Sequence, residues 1–253
     1  MKPRLLIAND DGIDSPFLPP FAKAIAAYAD ISIVVPAREQ SWIGRAYSRH
    51  SELRVEEREF HGFECRTVSG TPADCVNIAL SHLCKSPPDA VISGLNIGQN
   101  IAFPLLWSSG TFAAAVEAAG WGFPAFAFSM RLEKKYYEEC RVKHSPPPPA
   151  LLASLETAGA HAAEFVARAL KGGMLGCGDV ANVNYPIGFG DGAAFERCVP
   201  ARAKLASLYV KNSEGNFNFA YNIGETSSPD GTLTDLECLD KGAACYSIIN
   251  IGC

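Results

Sequence analysis

The sequence predicts an α/β protein, a mostly parallel sheet between two layers of helices, and three observations carry that expectation. From Leu5 to Ser129, short apolar runs alternate with helix-like segments, the pattern of consecutive βαβ units. The runs are apolar at every position rather than at every second one, as strands covered on both faces must be. With 253 residues and 48% hydrophobic content, the chain can bury a substantial core.

The elements follow in order. Leu5–Ala8 reads as the first strand. Asp14 or Ser15 can cap, and Pro16 can open, a helix running from Phe17 to Tyr28. Ile31–Val35 is a second strand. Between Ile43 and Val68 the pattern turns polar and extended, a β-rich excursion that leaves the core and returns. Helices are expected at Ala73–Leu83 and Phe112–Ala119, and strands at Ala90–Ser93 and Ala125–Ser129. Residues 131–149 are charged and end in four consecutive prolines, which favour polyproline II and suit an exposed connector. A helix over Ala150–Leu170 stops at Gly172-Gly173, and Val180–Tyr185 forms one more core strand before Pro186. A core over residues 1–186 is therefore expected, followed by a C-terminal extension over 187–253. That extension is rich in Gly, Asn and Ser and suits packing on the core or on another subunit better than a second catalytic domain.

Composition narrows the function. A net charge of -5 argues against a partner such as polymeric nucleic acid, because phosphate backbones are met by a basic face. Nine cysteines include no Cys-x-x-Cys pair; the closest two, Cys238 and Cys245, have six residues between them, so neither a zinc nor a redox motif emerges. Scattered thiols fit a reducing compartment, and the cytoplasm is the expected location. Only four apolar residues separate Arg4 from Asn9, too few for a signal peptide or a membrane span. The five histidines show no close pairing and read as ordinary surface or core residues.

Chemistry concentrates in loops that follow strands, which in a parallel sheet all emerge on one side. Asn9-Asp10-Asp11-Gly12 places two adjacent carboxylates after the first strand. Asp-Gly alone also suits a hairpin, but the helical segment beginning near Phe17 is not an alternating strand. Ser41 follows the second strand. Ser93-Gly94-Leu95-Asn96-Ile97-Gly98-Gln99-Asn100 follows the strand at Ala90, and matches neither a phosphate-binding loop ending in Gly-Lys-Ser/Thr nor the dinucleotide fingerprint. Ser108-Ser109-Gly110-Thr111 opens a helix, whose free amides attract anions. Asp10, Asp11, Ser41 and Asn96 make an oxygen-only donor set suited to Mg²⁺ or Mn²⁺, and that composition suggests metal-assisted phosphoryl transfer.

Taken together, Asn9–Gly12, Arg38-Glu39-Gln40-Ser41, Ser69–Val76, Ser93–Asn100 and Ser109-Gly110-Thr111 resemble the SurE family of nucleotidases, with weaker echoes at Asn182–Pro186 and Thr234-Asp235. The resemblance implies a Rossmann-like core, a C-terminal oligomerisation extension exchanged between subunits of a homodimer or homotetramer, and hydrolysis of nucleoside 5′- and 3′-monophosphates dependent on one divalent metal ion per subunit. It also implies that Asp10, Asp11, Ser41 and Asn96 are metal ligands, Asp10 and Asp11 being catalytic, and that Asn100, Ser109, Gly110 and Thr111 face the phosphate. A water activated by the metal is the expected nucleophile. One departure stands out: where the family usually has Leu-Gly-x-Asp and an acidic, tyrosine-containing stretch, this chain has Ile101-Ala102-Phe103-Pro104-Leu105-Leu106-Trp107-Ser108, without the acid. The competing expectation is a non-catalytic nucleotide-binding protein of the same fold. Paired carboxylates disfavour it, because without a cation they repel a phosphate.

Overall fold

The computed structural model describes residues 2–252. Its elements are β1 (Arg4–Ala8), α1 (Leu18–Ala26), β2 (Asp30–Pro36), β3 (Val55–Phe60), β4 (Phe63–Val68), α2 (Pro72–Ile78), β5 (Ala90–Ile97), α3 (Phe103–Leu106), α4 (Gly110–Gly120), β6 (Ala125–Met130), α5 (Lys134–Tyr137), α6 (Pro149–Gly172), β7 (Asp179–Tyr185), β8 (Phe195–Arg197), β9 (Arg202–Lys204), β10 (Tyr209–Lys211), β11 (Phe217–Phe219), β12 (Glu225–Ser227), α7 (Asp235–Asp240) and β13 (Ala244–Asn250). Nine strands form one sheet in the order β3-β4-β2-β1-β5-β6-β7-β13-β8. From β4 through β7 all neighbours are parallel; β3 and β13 run antiparallel to β4 and β7. The α/β class read from the sequence is the one observed.

The strand pleat explains the two cores. Leu5 and Ile7 of β1 point to one face, where Phe17, Phe21, Phe126, Phe128 and Phe165 pack beneath α1 and α6. Leu6 and Ala8 point to the other, against Val34, Val91, Phe112 and the alanines of α4, with α2 alongside. Successive side chains of a strand face opposite ways, so a strand covered on both sides must be apolar throughout.

Several boundaries differ from expectation for identifiable reasons. α1 begins at Leu18, not at Pro16, with Phe17 at its N-cap. Pro19 and Pro20 lack N–H groups and are tolerated only in a first turn, so they pull the helix start toward themselves. Ser15 still contributes, its Oγ accepting the Phe17 N–H at 3.4 Å. α2 starts at Pro72 behind a reciprocal Thr71–Asp74 capping box and becomes a π-turn over Ala79–Leu83. The β-rich excursion is more integrated than expected, because β4 joins the main sheet beside β2 and only β3 lies at the edge. Glu56, Glu57, Arg58 and Glu59 make β3 a charged edge, which discourages pairing with another chain.

The last third divides in two. β8, α7 and β13 belong to the core, with β13 inserted between β7 and β8. Residues 202–227 instead form two small hairpins, β10–β11 and β9–β12, with Tyr209, Val210 and Phe217 exposed. The segment 131–149 is not exposed throughout: Cys140 is fully buried and the Arg141 side chain is only 12% exposed. Among the described residues, no helix is long and apolar enough to cross a membrane.

Candidate functional site

Strand order locates the site. After β1 the chain moves to β2 and β4 on one side, then returns to β5 on the other, so the loops leaving β1 and β5 diverge from a common crevice at the carboxyl end of the sheet. Ligands of open α/β sheets bind at such a switch point. A cleft of about 930 Å³ opens there, lined by Asp10, Ser41, Asn96, Asn100, Ser109 and Arg141 among others.

Local chemistry fixes the two carboxylates. Asn9 folds its side chain over the turn, Nδ2 donating to the Gly12 carbonyl at 3.0 Å and Oδ1 accepting the Gly12 N–H at 3.1 Å. Gly12 has φ +80°, and a Cβ there would lie 3.0 Å from the Arg38 carbonyl carbon, so the turn and the loop after β2 interlock. Asp10 and Asp11 then face different supports. The Thr111 hydroxyl donates to Asp10 Oδ1 at 2.7 Å, and Gly110 lets α4 approach so closely that a Cβ would lie 2.7 Å from Asp10 Cβ. Asp11 Oδ2 accepts the Ile97 N–H at 2.8 Å, while its Oδ1 stands 3.3 Å from Arg141 Nη1 without a hydrogen bond.

Both carboxylates are buried. Burial, then the adjacent Asp11 charge, push the Asp10 carboxyl up to about 7, against the Thr111 hydroxyl and Arg141, which lower it. Burial likewise raises Asp11, opposed chiefly by Arg141 and the Ile97 N–H. Two acids that resist ionising together are a place where a cation is favourable. The remaining donors agree with a hard cation: Ser41 Oγ is buried without a partner, as is Asp11 Oδ1, and Asn96 directs its amide nitrogen to Ser129 Oγ at 3.4 Å, leaving its oxygen for the cleft. No nitrogen or sulfur ligand intrudes, so the oxygen-only set fits a divalent ion of the magnesium type.

The phosphate-facing residues come together with different roles. Ser109 lines the cleft, but its Oγ accepts the Phe112 N–H at 3.0 Å, an N-cap for α4. The Gly110 and Thr111 amides lie in the first turn, where no helical carbonyl is available to them. The Thr111 hydroxyl does not face the cleft: it is fully buried and committed to Asp10, so the residue orients a carboxylate. Asn100 is locked by its backbone, its N–H donating to Asn184 Oδ1 at 2.8 Å and its carbonyl accepting from Asn182 and Asn184 at 2.9 Å each. Its side-chain nitrogen donates to Ser129 Oγ at 2.9 Å.

Sequence reasoning missed Arg141 altogether. It arrives from the segment after β6, with Nη2 donating to Glu39 at 2.6 Å and Nη1 to the Ile97 carbonyl at 2.8 Å. The available signal was positional: the segment leaves the carboxyl end of a core strand, as the other site loops do. Also missed were the aromatic residues Trp42, Phe219 and Tyr221, which line the cleft with ring centroids 4.9 Å and 5.9 Å from Trp42. Trp42 is held through its neighbours: buried Glu117 accepts from Arg45 at 2.8 Å and from Asn77 at 2.9 Å, and binds the Tyr47 hydroxyl, pinning the loop beyond it.

A family model described as survival protein SurE matches residues 5–208, which takes in every residue of the carboxylate, Ser41, Asn96–Asn100 and Ser109–Thr111 loops. The chain belongs to the SurE family. Among its relatives, a 5′-nucleotidase SurE of Methanoculleus marisnigri is 37% identical over 188 residues, covering 74% of this chain and 68% of that protein. A 5′-nucleotidase SurE of Halobacterium salinarum is 33% identical over 241 residues, covering 91% of this chain and 85% of its own length. In fold, the crystal structure of a SurE protein from Aquifex aeolicus superposes with a TM-score of 0.71 at 23% identity, covering 98% of this chain and 93% of the other. The SurE relationship accounts for the shared architecture, and the Arg141 and Trp42 contacts are read from this member's own geometry.

Proposed function

We propose that this SurE protein is a divalent-metal-dependent phosphomonoesterase that hydrolyses nucleoside 5′- and 3′-monophosphates. The observation that carries the reading is the buried Asp10–Asp11 pair, whose acids are raised by burial, together with a cleft of nucleotide size lined by Asp10 and by Ser41, whose buried hydroxyl has no hydrogen-bond partner. The relatives' nucleotidase names support the substrate class. Asp10, Asp11, Ser41 and Asn96 would hold one Mg²⁺ or Mn²⁺. When bound, such an ion neutralises phosphate charge and makes water a better nucleophile.

The protein's own residues supply the rest. Thr111 holds Asp10 in one rotamer, and the Ile97 N–H does the same for Asp11. The first-turn amides of α4 and the side chain of Asn100 offer donors to the equatorial phosphate oxygens, where charge grows in the transition state. Arg141 adds a fixed positive charge at the cleft, oriented by Glu39. Trp42, Phe219 and Tyr221 form an apolar wall on which a nucleobase can stack.

Phosphate release from 5′- and 3′-nucleoside monophosphates tests the reading, using metal-stripped protein with Mg²⁺ or Mn²⁺ restored, beside Asp11→Asn. Turnover that returns with metal and is lost in the variant is expected. Nucleotide binding without turnover under every metal would replace the enzyme with a binding protein. The exposed Tyr209, Val210 and Phe217 of the 202–227 hairpins support assembly into a homodimer or homotetramer, which sedimentation measures directly. Eight free cysteines among the described residues support a reducing, cytoplasmic setting.

A further inference from the structure

Three cysteines that are remote in sequence meet behind the phosphate loop. Cys198 follows β8, Cys238 lies on α7 and Cys245 lies in β13, and their sulfurs all fall within 4.8 Å of one another. The three residues are 6%, 1% and 0% exposed. Their surroundings are apolar, with Ile101, Leu239 and Ala243 in the same cluster and Leu233 and Leu236 against it.

Packing as a small hydrophobe explains a buried cysteine but not the convergence of three. Within this chain Cys65, Cys75 and Cys140 show the ordinary case: each is buried, and none belongs to such a cluster. Three sulfurs bound to one ion at about 2.3 Å each would stand about 4 Å apart, which the observed separations accommodate with little movement.

Chemistry then selects the ion. No histidine or carboxylate shares the cluster among the described residues, so the donors are three soft sulfurs and nothing else. Of the acids of α7, Asp235 is engaged with the N–H groups of Ala102 at 2.9 Å, Ala201 at 3.0 Å and Leu236 at 2.8 Å, and Glu237 with the N–H and hydroxyl of Thr234 at 2.9 Å each. Structural zinc takes four ligands, its all-thiolate sites having four cysteines, whereas three sulfurs without a fourth donor suit the lower coordination of monovalent copper. We propose that Cys198, Cys238 and Cys245 form a buried three-sulfur site for a soft monovalent cation, copper(I). The site ties α7 to β13 and to the end of β8. Through Asp235 it lies directly behind Ala102, two residues beyond Asn100.

The test uses the full chain, reduced and free of oxygen, titrated with copper(I) delivered from a coloured chelator complex, with zinc titrated in parallel. One equivalent of copper(I) is expected, with X-ray absorption showing three sulfur neighbours and a raised thermal midpoint. Affinity should fall at least about 100-fold in Cys238→Ser and remain unchanged in Cys177→Ser, whose thiol is exposed. If Cys238→Ser fails to fold, Cys198→Ser at the rim of the cluster serves, and protection of three thiols from alkylation by the bound ion provides a readout on the unaltered chain. The proposal is overturned by absence of stoichiometric uptake, by uptake indifferent to Cys198→Ser, by zinc outcompeting copper(I), or by a disulfide joining two of the three in protein kept under reductant.

Discussion

Replacing Gly110 with alanine is the sharpest probe of how the site is held. A Cβ at Gly110 would lie 2.7 Å from Asp10 Cβ and 3.0 Å from both Asp10 Oδ2 and the Gln40 carbonyl oxygen. Ordinary contact begins at 3.4 Å, so the start of α4 and the Asp10 backbone must separate by about 0.7 Å. Neither partner is a flexible chain end, since Gln40 N–H bonds to the Asp10 carbonyl at 2.8 Å and Thr111 bonds to its side chain. Overpacking of this kind costs about 1–3 kcal/mol, offset by up to about 1 kcal/mol from the better helix propensity of alanine. A net loss of roughly 1–2 kcal/mol is expected in urea unfolding. Misplacing a reacting group by about 1 Å costs about 100-fold, so phosphate release should fall by about that factor. The control lies on the same helix: at Gly120 a Cβ would meet nothing closer than Arg45 Nη2 at 3.8 Å, so Gly120→Ala should be neutral to stabilising and keep activity. A Gly110→Ala variant with near-parental midpoint and turnover would refute the claim that α4 is seated rigidly against Asp10.

Other perturbations separate the contributions of the remaining groups. Asp10 titrates higher in the folded protein than in the unfolded chain, so its stabilising contribution is complete below the unfolded value and is lost as pH rises through about 7. Metal-free protein should therefore be less stable at pH 8 than at pH 5, with the slope reduced in Asp10→Asn, as denaturant midpoints at the two values will show. Arg141→Met should weaken inhibition by inorganic phosphate and raise KM, while Lys2→Met, far away on the surface, leaves both unchanged. Trp42→Ala should raise KM for nucleoside monophosphates about tenfold, from loss of roughly 1–3 kcal/mol of stacking, and spare p-nitrophenyl phosphate, which has no base to stack.

How much of this was legible depends on the range over which each feature is decided. The strands at Leu5, Ile31, Ala90, Ala125 and Val180 were readable because burial on both faces writes itself into every residue of the run. Asp10, Asp11, Asn96 and Ser109 were readable as one site because a parallel sheet sends their loops to one edge. The start of α1 was misread because Asp14 and Ser15 look like caps, while Pro19 and Pro20 decide the matter four to six residues later. Thr111 is expected at the phosphate through the free amides of its helix start, but its hydroxyl holds Asp10, a distinction set by how far Gly110 lets the helix approach. Arg141 was hidden because a charged, proline-flanked segment looks solvated until a partner such as Asp11 is found across the fold. The three-sulfur cluster was hidden similarly, by the long interval separating Cys198 from Cys238 and Cys245.

The position of β13 carries a consequence for the order in which this molecule acquires its function. It pairs with β7 from Cys245 to Asn250 and with β8 from Ala244 to Tyr246, so residues made late become an interior strand rather than a trailing edge. β7 in turn supplies Asn182 and Asn184, which lock the Asn100 backbone. While the chain is being synthesised, β1, β2, β5 and β6 can assemble and the acidic pair can be in place, yet one flank of β7 stays open until residue 250 has emerged. Such long-range pairing is slow and leaves an unpaired strand exposed in the meantime. Closure of the strand that locks Asn100 is thus timed to the arrival of β13, and the interval before it is when the nascent chain most needs protection from its neighbours.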